Sequence, residues 1–181
     1  MGQSQSSDNE YQGSSSTKVM EYFNLKKFLS DSKWYEVARY NEHHSSKCSK
    51  IINEFILNKE NGSIDVTNYC YNGNKKEVNS ESIVRKKSLQ SRAGDLLISI
   101  DDENWGEYNL LWTDYKNIAF ITGKNYSSLW VLTRFNEITE DRCDEICECI
   151  DKLEVLCGAE NIKKWKLVWN DKSPLYVKEM N

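Results

Sequence analysis

The sequence of 181 residues has little proline, little histidine and no long apolar run. Its single proline is Pro174, so no strand predicted before that position lacks a backbone donor for a sheet ladder. No stretch approaches the roughly 18 apolar residues of a membrane-spanning helix. The formal net charge is −4 and the basic residues are scattered, which argues against a nucleic-acid partner. A chain of this length favours one well-cored domain over two.

Catalytic and metal-binding patterns are also missing from the sequence. There is no Ser-His-Asp ordering, no HExxH pair and no glycine-rich phosphate loop, so we expect no enzyme activity. His43 and His44 are adjacent and would point to opposite faces of a strand. The run Cys147-Glu148-Cys149 lacks the spacing of a CxxC pair. We therefore expect neither a metal site nor a cofactor.

The first residues of the chain are rich in Ser, Gln and Gly, and residues 1–17 contain no Leu, Ile, Val or Phe. We expect a disordered tail over 1–20 that cannot supply the apolar segment of a secretory signal, and hence a cytoplasmic protein. The start MGQSQS fits the pattern for myristoylation at Gly2, although a Gly- and Ser-rich tail can meet that pattern by chance. A single acyl chain on Gly2 would attach the protein to a membrane only weakly and reversibly.

Between residues 34 and 135, short apolar and aromatic runs alternate with turn sequences such as Glu60-Asn61-Gly62. Connections this short exclude crossover helices and predict an antiparallel meander. Eight such strands close an up-and-down barrel around one small ligand. We place the strands at 34–42, 50–58, 63–71, 77–86, 95–101, 106–114, 117–123 and 127–135.

A different period follows the last of these strands. Between Thr139 and Cys157 the apolar residues recur at intervals of three and four, which predicts an α-helix packed against the outside of the barrel. Thr139 suits the N-cap and Gly158 suits the position after the last turn. The run 164–169 alternates well enough to form a short ninth strand at an edge. We expect the domain over 21–172, followed by a tail at 173–181.

Trp34 and Arg134 lie on the first and the last predicted strand, where they would plug one end of the barrel. A guanidinium over an indole face gains roughly 0.5–2 kcal/mol as a cation–π contact. If both face inward, the two-residue period of strands predicts the other inward side chains. These are Glu36, Ala38, Tyr40, Ile51, Asn53, Phe55, Ile64, Val66, Asn68, Cys70, Leu96, Ile98, Ile100, Asn109, Leu111, Thr113, Trp130 and Leu132.

The inward carboxylate of Glu36 is unusual in such a set. A buried carboxylate costs several kcal/mol, on the order given by transfer data, unless it is paired or hydrogen-bonded. We interpret Glu36 as a satisfied structural acid near the closed end rather than as a contact for a ligand.

The chain resembles the lipocalin family, and most closely its branch of apolipoprotein D and the bacterial outer-membrane lipocalins. The matching runs are Trp34-Tyr35-Glu36-Val37-Ala38-Arg39, Thr113-Asp114-Tyr115 and Trp130-Val131-Leu132-Thr133-Arg134. Ser32 stands where the family usually has glycine, two positions before the tryptophan. The resemblance implies an all-β fold: an eight-stranded antiparallel lipocalin barrel with one helix outside it.

The resemblance also implies a function: binding, carriage or sequestration of a fatty acid, a lysophospholipid or a similar amphiphile. The context would be membrane lipid maintenance or protection from oxidative stress, by a monomer or weak dimer that associates peripherally with a membrane. Trp34 and Arg134 would be structural, and His43 and His44 would lie at the rim. The candidate ligand contacts are Tyr40, Phe55, Asn68, Leu96, Ile98, Asn109, Leu111 and Trp130.

Two alternatives stay open at this stage. One is an interaction module that uses the rim loops around 41–49 and 101–106 on a protein partner. The other is an isomerase with a reactive pocket thiol at Cys70, because prostaglandin D synthase, a lipocalin, uses an inward cysteine on a different strand.

The six cysteines are even in number, but a reducing compartment favours free thiols over bridges. Cys48 lies near a position that is bridged in apolipoprotein D-like members. No cysteine follows Cys157 to act as the usual C-terminal partner, so we assign no bridge to Cys48.

Overall fold

The computed structural model describes residues 17–40, 48–157 and 168–169. Within these residues the chain forms ten strands, two α-helices and one short 3-10 turn. The helices are α1 (Leu25–Phe28) and α2 (Glu140–Cys157). The strands are β1 (Lys33–Tyr40), β2 (Lys50–Leu57), β3 (Ile64–Asn72), β4 (Lys75–Lys86), β5 (Leu96–Ser99), β6 (Gly106–Glu107), β7 (Asn109–Thr113), β8 (Ile118–Thr122), β9 (Leu129–Thr133) and β10 (Val168–Trp169).

Nine of these strands form one antiparallel sheet that curls into an almost closed barrel, in the order β6-β5-β4-β3-β2-β1-β9-β8-β7. β6 and β7 follow each other directly, and β6 pairs with β5 while β7 pairs with β8. The Tyr108 amide donates to the Leu96 carbonyl at 3.0 Å, and the Leu110 amide donates to the Gly94 carbonyl at 2.9 Å. β6 and β7 therefore form one bent segment of the wall between β5 and β8. The sheet as a whole confirms the predicted antiparallel barrel.

The segment that enters the barrel from the N-terminal side lies across this same seam. The Met20 amide donates to the Leu110 carbonyl, and the Gly94 amide donates to the Met20 carbonyl, both at 3.0 Å. A Cβ atom at Gly94 would lie 2.8 Å from the Leu110 carbonyl oxygen and 3.0 Å from the backbone of Met20. Three backbones meet at a distance that only glycine allows.

The hydrophobic core has two layers, one inside the barrel and one between its outer wall and α2. Ile146, Leu153 and Cys157 of α2 are buried in one cluster with Phe120 and Val131 of the wall. Since β8 is covered on both faces, all five of its residues are buried. The helix lies outside the barrel as its period predicts, and β10 pairs with the far end of β1, within the predicted edge segment.

A β-bulge in β1 changes which of its side chains face inward. The register with β9 shifts between Glu36 and Ala38, so one extra residue enters the strand at this point. Beyond the bulge, Ala38 belongs to the outer core and Tyr40 packs against it, while Arg39 faces the interior. The inward orientation predicted for Ala38 and Tyr40 is wrong, because the two-residue period does not continue through a bulge.

β7 also departs from the predicted alternation. Tyr108 and Leu110 belong to the interior core, so the intervening Asn109 faces outward. The register with β8 shifts between Leu110 and Trp112, and the extra residue, Leu111, joins the outer core beneath α2. The inward orientation predicted for Asn109 and Leu111 is therefore wrong. Both faces of β7 are covered by other parts of the protein, so the positions of apolar residues do not show which face is inward.

Candidate functional site

The closed end of the barrel is built around Trp34, which is fully buried. The Arg134 guanidinium carbon lies 3.7 Å from the centre of the indole ring, and the Phe28 ring stacks on the same indole at 4.9 Å. Arg134 also donates to the carbonyls of Phe28, at 2.6 Å, and of Lys33, at 2.5 Å. Burial lowers the pKa of Arg134 to about 10, against the opposing effect of nearby carboxylates. These contacts close the floor and satisfy carbonyls where α1 ends.

A packed apolar layer adjoins Trp34 and completes this floor. Phe55 is 2% exposed, and its ring meets Phe28 edge-on at 5.4 Å. Leu96 and Leu110 line the same layer, in which about 10 Å³ of space remains. The sequence-predicted contacts Phe55 and Leu96 therefore lie in filled interior, below any volume that a ligand could occupy.

Above the packed layer, the interior opens into a cavity of about 410 Å³. This volume lies in the range of sites for small organic ligands, about 300–1,000 Å³. Part of the wall is apolar, with side chains from β3, β5, the residue after β5, the seam and β9: Val66, Ile98, Ile100, Tyr108, Trp130 and Leu132. The rest is lined by polar side chains, among them Glu36, Arg39, Asn53, Asn68, Ser80 and Ser82. One wall therefore suits a hydrocarbon and another suits a polar group.

A buried ion pair crosses the polar part of this wall. Arg39 holds Glu36 in a two-pronged contact, with Nε 2.5 Å from Oε1 and Nη2 2.7 Å from Oε2. The Glu36 side chain is 2% exposed and that of Arg39 is 13% exposed. Because the bulge in β1 turns Arg39 inward, the carboxylate is paired inside the cavity rather than near the floor. The two-residue period of a strand would place the Arg39 side chain on the outer face of the barrel. No residue in this part of the sequence indicates that a bulge is present.

Two amide side chains face the cavity from neighbouring strands. Asn53 on β2 and Asn68 on β3 stand directly opposite each other in the ladder. Asn68 donates from Nδ2 to the Ser80 hydroxyl at 2.8 Å. The Nδ2 atom of Asn53 and the Oδ1 atom of Asn68 are buried and have no hydrogen-bond partner. Two residues of the wall thus carry one unpartnered donor and one unpartnered acceptor.

The structure brings some of the predicted ligand contacts together and separates others. Asn68, Ile98 and Trp130 line the cavity. Asn109 lies on the outer face, where its Nδ2 donates to Glu107 at 3.0 Å. The remaining predicted residues are placed as follows: Phe55 and Leu96 beneath the cavity, Tyr40 and Leu111 against the outer core, and Gly2, His43 and His44 outside the described residues.

A disulfide lies at the rim of the barrel, where it joins the residues before β2 to β3. Cys48 and Cys70 are bridged, with their Cα atoms 5.2 Å apart. The expectation of reduced thiols is wrong for these two residues, and the reactive pocket thiol at Cys70 falls with it because that sulfur is already bonded. The sequence signal for this bridge was that Cys48 lies just before the strand predicted at 50–58, while Cys70 lies near the end of the neighbouring strand predicted at 63–71. Cys143, Cys147, Cys149 and Cys157 are thiols outside any disulfide, and burial raises the pKa of the thiols of Cys149 and Cys157.

A short loop shapes the mouth of the cavity after β5. The Asp101 carboxylate accepts hydrogen bonds from the amides of Asn104 and Glu103, from the Asn104 side chain and from the Ser99 hydroxyl. The bonds from Asn104, above all, hold the pKa of Asp101 well below its ordinary value. Asp101 and Asn104 both line the cavity, so its mouth carries a fixed negative charge.

Comparison with known proteins identifies this architecture. The family model of the lipocalin-like domain matches residues 23–153. The outer membrane lipoprotein Blc of Vibrio cholerae is 29% identical over 135 residues, which cover 74% of this chain and 77% of that protein. The Blc protein of Citrobacter freundii is 24% identical over 153 residues, which cover 83% and 80%.

Insecticyanin from the tobacco hornworm Manduca sexta has the same fold at 17% identity. Its TM-score is 0.59, over 88% of this chain and 86% of that one. Neither helix in the described part of the chain is long and apolar enough to cross a membrane. Within the same residues, no group of three or more His, Cys, Asp or Glu side chains could hold a metal ion.

Proposed function

The chain belongs to the lipocalin-like family, and we propose that it binds a fatty acid derivative or a similar single-chain amphiphile in the 410 Å³ cavity. The observation that carries this proposal is the division of the cavity wall. Ile98, Trp130 and Leu132 offer a hydrocarbon surface, while Asn53 and Asn68 offer hydrogen bonds to a polar group. Burial of each methylene contributes about 0.8 kcal/mol, and a few polar groups then fix the orientation of the ligand.

We further propose that the protein acts at a membrane surface in an oxidising compartment. Two relatives are named outer membrane lipoproteins, which supports a membrane setting. The Cys48–Cys70 bridge supports an oxidising one, because disulfides persist outside the reducing cytosol. A cytoplasmic location, as expected from the N-terminal composition, has no support in these observations. Binding and carriage, rather than catalysis, is the role that the family membership supports.

Native mass spectrometry of the purified protein, followed by organic extraction, tests the proposal. We expect a co-purified lipid, and binding of added monopalmitoylglycerol in a calorimetric titration. The W130A variant should bind this lipid more weakly by about 1–3 kcal/mol, because an aromatic wall of the cavity is lost.

Trp105 provides a matched control for the loss of an indole. It does not line the cavity, and its ring stacks on Arg85 at 3.7 Å. The W105A variant should therefore bind monopalmitoylglycerol as the unaltered protein does. Absence of extracted lipid together with no heat of binding would contradict the carrier function, and equal losses in the two variants would place the ligand elsewhere.

A further inference from the structure

We propose that the cavity selects a ligand whose buried polar group is uncharged and both donates and accepts hydrogen bonds, such as a primary amide or a hydroxyl on an alkyl chain. This inference rests on the proposed function, because it names the chemistry of the molecule that occupies the same cavity. Two independent observations carry it: the unpartnered amide atoms of one wall and the closed ion pair of another.

The amide atoms define what the ligand must offer. Asn53 lines the cavity and is 6% exposed, and its buried Nδ2 donor has no hydrogen-bond partner. The Asn68 amide is oriented by its bond to Ser80, which leaves Oδ1 as an unmatched acceptor beside it. Buried polar groups are almost always hydrogen-bonded, and an unmatched one destabilises the protein. A ligand group with one acceptor and one donor matches both atoms at once.

The ion pair determines which charge the buried group of the ligand should not carry. Arg39 is the one cation among the described residues that line the cavity, and both of its prongs are engaged by Glu36. A ligand carboxylate or phosphate could recruit the guanidinium only by separating it from a buried carboxylate, which would leave Glu36 without that partner. Asp101 adds a negative charge at the mouth. An anionic head group is therefore disfavoured within the cavity.

Calorimetric titration of the full chain with four ligands built on a ten-carbon chain tests this selectivity. The ligands are decanamide, decanol, methyl decanoate and decanoate, which share a chain and differ in the polar group. We expect decanamide and decanol to bind about tenfold more tightly than methyl decanoate, which accepts but cannot donate, and decanoate to bind most weakly. Tightest binding of decanoate would overturn the inference.

Leucine substitutions then test the two amides. N53L and N68L should each weaken decanamide binding by about three- to tenfold and remove its advantage over methyl decanoate. N109L is the matched control: Asn109 also has an unpartnered amide oxygen, but it lies outside the cavity, so the preference should be unchanged. If N53L does not fold, N53A removes the same donor and introduces a smaller apolar side chain.

The outcomes separate this inference from the function on which it rests. Binding of all four ligands without preference, in the unaltered protein and in the variants alike, would overturn the head-group selectivity and leave the carrier function standing. Loss of preference in N109L as well would show that the amides of the cavity do not cause it. No binding of any ligand would overturn the carrier function itself.

Discussion

The two halves of the barrel interior are built on opposite principles. The half near the floor is aromatic and filled, with Trp34 fully buried and about 10 Å³ left beside Phe55. The half near the mouth is partly polar and holds about 410 Å³ of space. Close packing gives the first half its stability, while the second leaves amide atoms unpaired. The difference indicates that stability and binding depend on separate residues, so each can be changed without the other.

The largest effect should come from removing the floor. W34A deletes a fully buried indole together with its contact to Arg134, and we expect the free energy of unfolding to fall by about 3–5 kcal/mol. Urea denaturation measures this loss. W130A is the matched control in the open half, where the loss of stability should stay below about 2 kcal/mol because the indole borders empty space. Equal losses would contradict the division of the interior.

The ion pair of Glu36 and Arg39 should be an exception to this separation of stability from binding, because it lies in the half near the mouth but contributes to stability. R39M removes the guanidinium that holds the buried Glu36 carboxylate, and we expect a loss of about 3 kcal/mol. The double variant E36M/R39M should regain most of it, since two apolar side chains replace the pair. Urea unfolding of both variants at neutral pH is the measurement. A double variant as unstable as R39M would show that packing, not charge, causes the loss.

The disulfide should affect the mouth more than the floor. Cys48 and Cys70 are separated by 22 residues, and a crosslink over such a loop contributes about 3 kcal/mol by restricting the unfolded chain, or about 2 if the rim is already ordered. C48S/C70S should lower the unfolding free energy by that amount. Amide exchange around β2 and β3 near the rim should increase by more than this global loss allows, because the rim also opens locally, whereas exchange at Trp34 should increase by no more than the global loss. An increase at Trp34 beyond that limit would contradict the separation of the two halves.

The smallest of these effects should come from the seam beside the floor. G94A places a methyl group 2.8 Å from the Leu110 carbonyl oxygen, and we expect a loss of about 1–3 kcal/mol as the Met20 segment moves away. Amide exchange at Met20 should increase with it. Gly106 is the control, since a Cβ there meets its nearest atom at 4.0 Å. A neutral G94A would show that the seam adjusts without cost.

The sequence predicted the walls of the barrel better than its contents. Strand positions followed from turn residues and short apolar runs, and the helix followed from its period of three and four, because each signal is local. The orientation of side chains within a strand depends on bulges, which insert a residue without a mark in the sequence. This is why Arg39 was missed as an inward residue and why Ala38 was expected in its place.

The alternation of polar and apolar residues also fails to predict orientation where both faces of a strand are covered. In β7, Leu110 faces the interior and Leu111 faces α2, so two adjacent leucines are both buried. Alternation of polar and apolar residues identifies an inner face only where the outer face meets water. The disulfide is a third case, since the pairing of Cys48 with Cys70 depends on the register of β2 with β3.

The plug at the floor also determines when the barrel can be completed during folding. The hydrogen bond from Arg134 to the Phe28 carbonyl joins residues that are 106 positions apart in the chain. Contacts of such high sequence separation form slowly, because most of the chain must be ordered before the two ends can meet. The hairpins from β2 to β5 can form from neighbouring residues, whereas the indole and the guanidinium must wait for both termini of the domain. The residues that stabilise the barrel most are thus among the last to find each other.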